Sequence, residues 1–213
     1  MRRLFTIGLL WMTIALQAQD LKSLYIAIPD SLSPLLTKVN RQDFGDFLQS
    51  GMKAQVKNRF GKTSEMLQMT NDYLCLQLTS VSRTEMKLLP LNDSIQVICV
   101  ANTYQGPVAD TELSFYTTQW QKLETEQFIQ LPEQDDFFIV PSTTERRDSL
   151  ERLKTQADMR LIKADLSAKT ATVQFTYTVP DYMEKESAAA LRAYMRKTPL
   201  LYEWKDGKFI VKK

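Results

Sequence analysis

Asn92-Asp-Ser-Ile-Gln-Val-Ile-Cys-Val-Ala-Asn-Thr103 decides how the chain folds, because a polar turn there launches the longest β-like run in the sequence. Ile95, Val97 and Cys99 fall on one face of that run and Ile98 and Val100 on the other, so it is apolar on both sides. Such a strand belongs at the middle of a sheet or under a covering helix, since at an edge it would pair with other chains. Its neighbours keep the period of two. Tyr73–Thr79 sets Leu74, Leu76 and Leu78 against Tyr73, Cys75, Gln77 and Thr79, which predicts a half-buried strand with its leucine face inward. Met86 and Leu88 repeat the pattern up to Pro90, and Asn92-Asp93-Ser94 supplies turn chemistry. Beyond the central run, Gln105-Gly106-Pro107 is a stop, Thr111–Thr117 restarts a strand through Leu113 and Phe115, and the break before Trp120 closes a hairpin.

Towards the N-terminus, Leu24–Ile28 reads as a short strand ended by Pro29-Asp30, and Ser31–Val39 has Leu32, Leu35, Leu36 and Val39 at helical spacing. Asn40 then caps a second helix that buries Phe44, Phe47 and Leu48. From Gly51 the pattern returns to strands: Met52, Ala54 and Val56 alternate with lysine and glutamine, Phe60-Gly61-Lys62 is a turn, and Met66–Met69 leads back. Towards the C-terminus, Phe137–Val140 is a short apolar strand, and Ser142-Thr-Thr-Glu145 is a capping box for a charged helix through Leu150 and Leu153. Met159–Asp165 and Thr172–Val179 are strands, Glu184–Lys197 is an alanine-rich helix, and Asp206-Gly207 joins two closing strands. The sum is an α+β fold, a largely antiparallel sheet with about four helices. Thr111-Glu-Leu-Ser-Phe115 and Thr198-Pro-Leu-Leu-Tyr202 are alike, which raises two similar β-rich halves, 19–141 and 142–213, beside the alternative of one continuous domain.

Residues 1–18 have the layout of a secretory signal peptide: a basic Met1-Arg2-Arg3, an apolar Leu4–Leu16 and a small-polar exit at Gln17-Ala18-Gln19. The run is short of the about 20 residues of a spanning helix, so no transmembrane segment is expected after cleavage. No cysteine follows it, so the expected location is the periplasm or cell envelope without lipoprotein attachment. Loss of Arg2 and Arg3 takes the 27 basic residues to 25, equal to the 25 acidic ones, and a chain of zero formal charge is a poor partner for nucleic acid. The charge is segregated. From Ala101 to Pro141 Lys122 stands alone against seven acidic residues, while Ser142 to Lys213 holds 15 basic and 10 acidic ones. Within the acidic block, Glu124, Glu126, Glu133, Asp135 and Asp136 form a candidate binding surface for a protein or glycan.

Familiar catalytic arrangements are missing. The chain has no histidine, which removes Ser-His-Asp and Cys-His nucleophiles and histidine zinc sites, and no cofactor or metal site is assigned. Gly61-Lys62-Thr63 ends like a phosphate-binding loop, but Val56 stands where the first glycine is required. Ser50-Gly-Met-Lys53 matches one penicillin-recognising motif without its two companions. Asp43 and Asp46, three apart on one helix, read as a solvated first turn. Two carboxylates suffice for glycoside hydrolysis, so a carboxylate-dependent hydrolase is the alternative to a non-enzymatic binding module.

Leu88-Leu-Pro-Leu-Asn-Asp-Ser94, Gly106-Pro107, Phe115-Tyr116, Trp120 and the early Asn40-Arg-Gln-Asp43 resemble a family of exported Bacteroidales proteins described only as a domain of unknown function, family 3256. The resemblance covers nearly the whole chain after the leader. It rests on turns and core residues, so it implies compartment and lineage, and no activity or site residue.

Cys75 and Cys99 are the only two cysteines. In a simple meander one strand separates theirs, two spacings of about 4.8 Å apart, so both are expected as free thiols. Direct pairing of their strands would instead favour a disulfide.

Overall fold

The computed structural model describes residues 20–212, so the leader lies outside the described residues. The fold is α+β and largely antiparallel sheet, as the sequence predicts. The large sheet is a meander of seven strands in chain order: β1 (Gln55–Lys57), β2 (Thr63–Met69), β3 (Tyr73–Thr79), β4 (Ser82–Pro90), β5 (Gln96–Gln105), β6 (Ala109–Thr117) and β7 (Lys122–Leu123). The small sheet has four, β8 (Ile162–Leu166), β9 (Thr172–Tyr177), β10 (Leu200–Lys205) and β11 (Lys208–Val211), ordered β11-β10-β9-β8. Helices α1 (Leu21–Ile26) and α2 (Lys38–Gln49) precede the large sheet, while α3 (Thr144–Gln156) and α4 (Lys185–Arg192) accompany the small one.

Both faces of the large sheet are buried, which corrects the expectation of a single inward leucine face. Leu74, Leu76, Met86, Ile98 and Val100 pack with Leu21, Tyr25 and Phe44 of α1 and α2. Tyr73, Cys75, Leu89, Val97 and Cys99 face the other way and join Val173, Phe175 and Phe209 of the small sheet in one apolar cluster. Aromatic rings fill that second interface: Phe115 stacks on Phe128 at 4.8 Å, and Trp204 meets Phe209 edge-on at 5.0 Å. Residues preceding Pro141 supply the whole large sheet and residues after it the whole small sheet. The seam is sealed at the edge of β8, where Asp110 Oδ1 accepts from Ile162 N and Thr111 Oγ1 from Ala164 N, both at 3.0 Å. Those side chains occupy edge donors that would otherwise invite another strand. With β4 lying between β3 and β5, Cys75 is opposite Glu85 and Cys99 opposite Lys87, and both are free, buried thiols.

Several local expectations change. Leu24–Ile28 is not a strand: Asp20 accepts the Ser23 N–H at 2.7 Å and starts α1, whose Leu21, Leu24 and Tyr25 are buried. Ser31–Val39 is a run of turns that becomes helical only at Lys38. Thr37, rather than Asn40, is the N-cap, and Asn40 returns the hydrogen bond as its capping-box partner. Phe137–Val140 is no strand either: a 3₁₀ turn over Gln134–Phe137 is followed by a single bridge from Phe138 to Met195. The predicted box at Ser142–Glu145 does not form, since N-cap Thr143 makes no side-chain capping bond. At Asp206-Gly207 the hairpin is as predicted, with φ of 50° and 77° at the two left-handed positions of a tight turn.

Candidate functional site

Between α1 and α2, residues 27–36 cross the helix-side face of the large sheet as an arch without regular structure. One buried side chain holds it. Arg41, 2% exposed on α2, donates from Nη1 to Leu36 O at 2.8 Å, from Nη2 to Ile28 O at 3.0 Å, and from both to Asp30 Oδ1 at 3.1 Å. Arg59 takes the second oxygen of Asp30 at 2.8 Å, and its own N–H donates to Leu35 O. The two guanidinium groups hold the exposed Asp30 carboxyl below the usual carboxylate range. Turn bonds satisfy part of this coil, and the carbonyls they leave at Ile28, Leu35 and Leu36 are satisfied by Arg41 of α2 and Arg59.

Beneath the arch lies a cavity of about 200 Å³. Its floor is Leu76, Met86 and Val100, its walls include Tyr116 and Trp120, and Leu32 and Tyr104 stand exposed at its rim. Trp120, at φ 62° in the turn between β6 and β7, is aimed inward by a 3.0 Å bond from its Nε1–H to Leu24 O. Four polar elements interrupt the apolar lining, Arg83 among them. Thr84 donates to Asn102 Oδ1 at 2.7 Å, Ser33 and Ser82 sit near the rim, and the hydroxyl of Tyr25 is buried without a hydrogen-bond partner among the described residues. Burial pushes the Tyr25 phenol far above its ordinary range despite the nearby charge of Arg41, so the group is a neutral donor and acceptor. No carboxylate lines this cavity. The arrangement suits a compact apolar group with one hydrogen-bonding function. For scale, an apolar cavity of about 150 Å³ takes up benzene.

The residues singled out from sequence lie elsewhere. Glu124, Glu126, Glu133, Asp135 and Asp136 are all exposed. Glu126 and Asp136 border one trough of about 580 Å³ beside β11, together with Lys208 and Tyr202. Asp135 is instead turned to Lys154 of α3 at 2.5 Å, and Asp136 Oδ2 accepts the Glu133 N–H at 2.8 Å, so part of the acidic block secures its own turn. Asp110 and Glu112 border a further cavity of about 280 Å³, but Asp110 is committed to the β8 edge. Asp43 and Asp46 belong to no metal-binding group, and none occurs among the described residues.

Sequence reasoning missed a buried polar cluster between the sheets. Glu85, 1% exposed, accepts from Tyr73 Oη at 2.5 Å and from Arg83 Nη2 at 3.0 Å, while Arg83 Nε approaches Cys75 Sγ at 3.1 Å. Its Oε2 has no hydrogen-bond partner among the described residues. Burial raises the Glu85 carboxyl above the usual range, Tyr73 and Arg83 pull against that, and Asp165 of β8 adds repulsion. Lys87, also buried, reaches Asp72 at 2.8 Å. Arg83, Glu85 and Lys87 alternate along β4 like solvent-facing residues, and only the covering sheet makes Glu85 and Lys87 interior.

The family model described as Protein of unknown function (DUF3256) matches residues 13–209. A solved structure, titled as a domain of an uncharacterized protein from Porphyromonas gingivalis W83, superposes with a TM-score of 0.81 at 28% identity, covering 92% of this chain and 100% of that one. No curated protein matches the chain.

Proposed function

The chain belongs to the DUF3256 family, and from the chemistry of the arch cavity we propose that it is an exported, non-catalytic binding module of the cell envelope, which holds a partner protein by an apolar side chain. The observation that carries this reading is a preformed apolar cavity with an unpartnered, buried Tyr25 hydroxyl inside and exposed Leu32 and Tyr104 at the rim. Anchors of that kind, seated in a desolvated pocket with near-neutral contacts around them, dominate protein association. A glycan fits less well, since its hydroxyl groups would meet Leu76, Met86 and Val100. Among the described residues no helix is long and apolar enough to cross a membrane.

Peptides selected from a random displayed library against the folded chain, then counter-selected against Ser33→Phe to obstruct the cavity, test the reading. Enrichment of sequences sharing one apolar anchor, accompanied by a change in Trp120 emission, is the expected outcome. Selected peptides that bind both proteins equally would rule the cavity out. Export is tested separately by intact mass from a native-like host, where a chain beginning at or near Gln19 is expected and a retained Met1 on soluble protein would refute it.

The carboxylate hydrolase is the second reading, favoured by the placement of Glu126 and Asp136 on one trough. Hydrolysis of a glycan panel that disappears in the Glu126→Gln/Asp136→Asn double variant would establish it in place of the binding module.

A further inference from the structure

The tip of the β1–β2 hairpin is built to present one phenyl ring to the outside. Phe60 is 76% exposed. Its loop is nevertheless closely hydrogen-bonded, around the buried side chain of Asn58. Asn58 Oδ1 accepts the N–H groups of Phe60 at 3.0 Å and Lys62 at 3.1 Å, and Nδ2 donates to Ser64 Oγ at 3.1 Å. Backbone bonds from Asn58 N to Lys62 O and from Gly61 N to Asn58 O, both 2.8 Å, close the turn, and Gly61 takes the left-handed φ of 71° that it requires. A single exposed apolar residue on a surface ordinarily needs no explanation. A ring held out by a dedicated buried asparagine does, because the arrangement leaves apolar surface in water while removing the flexibility that would let it fold back.

The surroundings of the tip define what it meets. Lys53, Lys57, Arg59 and Lys62 occupy the hairpin and its approach, against two neighbouring carboxylates, Glu65 and Asp30. Asp30 is shared with Arg41, so the surplus is positive. Val81, in the adjacent β3–β4 turn, and Leu32, on the arch that Arg59 ties to this hairpin, are exposed at the same end of the sheet. The exposed ring stands at the turn of a hairpin whose flanking positions carry the cationic side chains. A protein partner would have to offer a matching hollow, whereas a bilayer surface meets a protruding ring at the level of its headgroups and places lipid phosphates where the cations lie.

We propose that this hairpin tip is a membrane-docking surface: Phe60 enters the interfacial layer of an anionic bilayer and Lys57, Arg59 and Lys62 engage the lipid phosphates. The surface is separate from the arch cavity, and the chain sits on the bilayer without spanning it. Because the turn is already ordered, docking costs little conformational entropy at the protein.

The exported chain, its N-terminus fixed by intact mass, is floated with phosphatidylcholine vesicles prepared with and without phosphatidylglycerol. Partition onto the anionic vesicles, weakening with added salt, is expected. Phe60→Ser should lower that partition roughly tenfold, and Lys57→Glu/Lys62→Glu should abolish the preference for anionic lipid. In Phe60→Trp, the new indole should shift to the blue and become shielded from an aqueous quencher only when anionic vesicles are present. The proposal is overturned if the wild-type chain does not float, if Phe60→Ser floats as well as wild type, or if the indole at position 60 stays fully quenchable. Binding of an acidic peptide by a chain that ignores vesicles also overturns it, assigning the tip to a protein instead.

Discussion

The two faces of the large sheet carry similar apolar strands yet meet very different covers. On one side the small sheet lies across Tyr73, Leu89, Val97 and Phe115, and stacked rings fill the middle of the interface, with a cavity only at its β6–β8 edge. On the other a six-residue helix, a longer one and an irregular arch lie across Leu76, Met86 and Val100, and about 200 Å³ remains between them. Sheets pack at one regular spacing, so their side chains can fill it. An arch suspended from Arg41 has its height set by hydrogen bonds to its carbonyls, with no requirement that the space below be filled. One face is therefore packed by interlocking side chains and the other retains a cavity.

That contrast can be broken most severely at Arg41. Arg41→Ala should cost about 4 kcal/mol, because it strips several partly buried carbonyls of their donor, and Arg41→Lys should restore little, since an ammonium cannot span the same acceptors. In a Trp204→Phe background the emission of Trp120 should move to the red, whereas in a Trp120→Phe background that of Trp204 should not. Equal shifts in both would mean that the arch and the sheet interface are one unit.

Truncation measures the difference in filling. Leu89→Ala, on the closed face, should destabilise the chain by about 4 kcal/mol in urea unfolding, and Leu76→Ala, already beside empty space, by about 2. Neighbours on β5 sharpen it further. Ala101 points into the closed face and Val100 into the cavity. Ala101→Val should cost about 2 kcal/mol by overpacking, and Val100→Ile should gain up to about 0.8 by burying one more methylene. Destabilisation by both would show that the cavity is not available space.

The smallest effect is a slope. Glu85 has a raised carboxyl pKa in the fold, so the folded chain holds that proton more tightly than the unfolded one. Its contribution to stability is complete below about pH 4.3, the unfolded value, and is lost as pH rises through the folded pKa, at no more than about 1.4 kcal/mol per pH unit. Glu85→Gln should remove this term, so variant and wild type should diverge with rising pH in that window. Parallel stability curves would show that Glu85 ionises as freely as in the unfolded chain.

What could be read from the sequence follows the range of the interactions involved. Ile98 and Val100 announced a strand covered on both sides, and Asp206-Gly207 announced its hairpin, because both signals are local. The arch was illegible for a physical reason: Leu32, Leu35, Leu36 and Val39 keep helical spacing, but Arg41 takes the carbonyl of Leu36 that a helix would have used and pins the chain upstream at Ile28. Tyr25, Ile26 and Ile28 look strand-like until Asp20 caps their segment. The cavity and the Glu85 cluster depend on which surfaces come together across long stretches of chain, and no spacing within β4 distinguishes a buried Glu85 from a solvated one. The acidic residues stood out in the sequence because charge is visible there, and part of that charge serves the turn at Gln134–Phe137.

Arg41 grips the arch at Ile28 and Leu36 by its main chain, through oxygens that every residue possesses. The clamp is therefore indifferent to what the arch residues are, with Asp30 the exception. Leu32, Ser33 and Leu35 can be exchanged without loosening the support, so the composition of the cavity roof is decoupled from the stability of the frame. A lineage carrying this fold can revise the lining of that cavity by point changes in one short segment, as a lock is rekeyed without replacing the door.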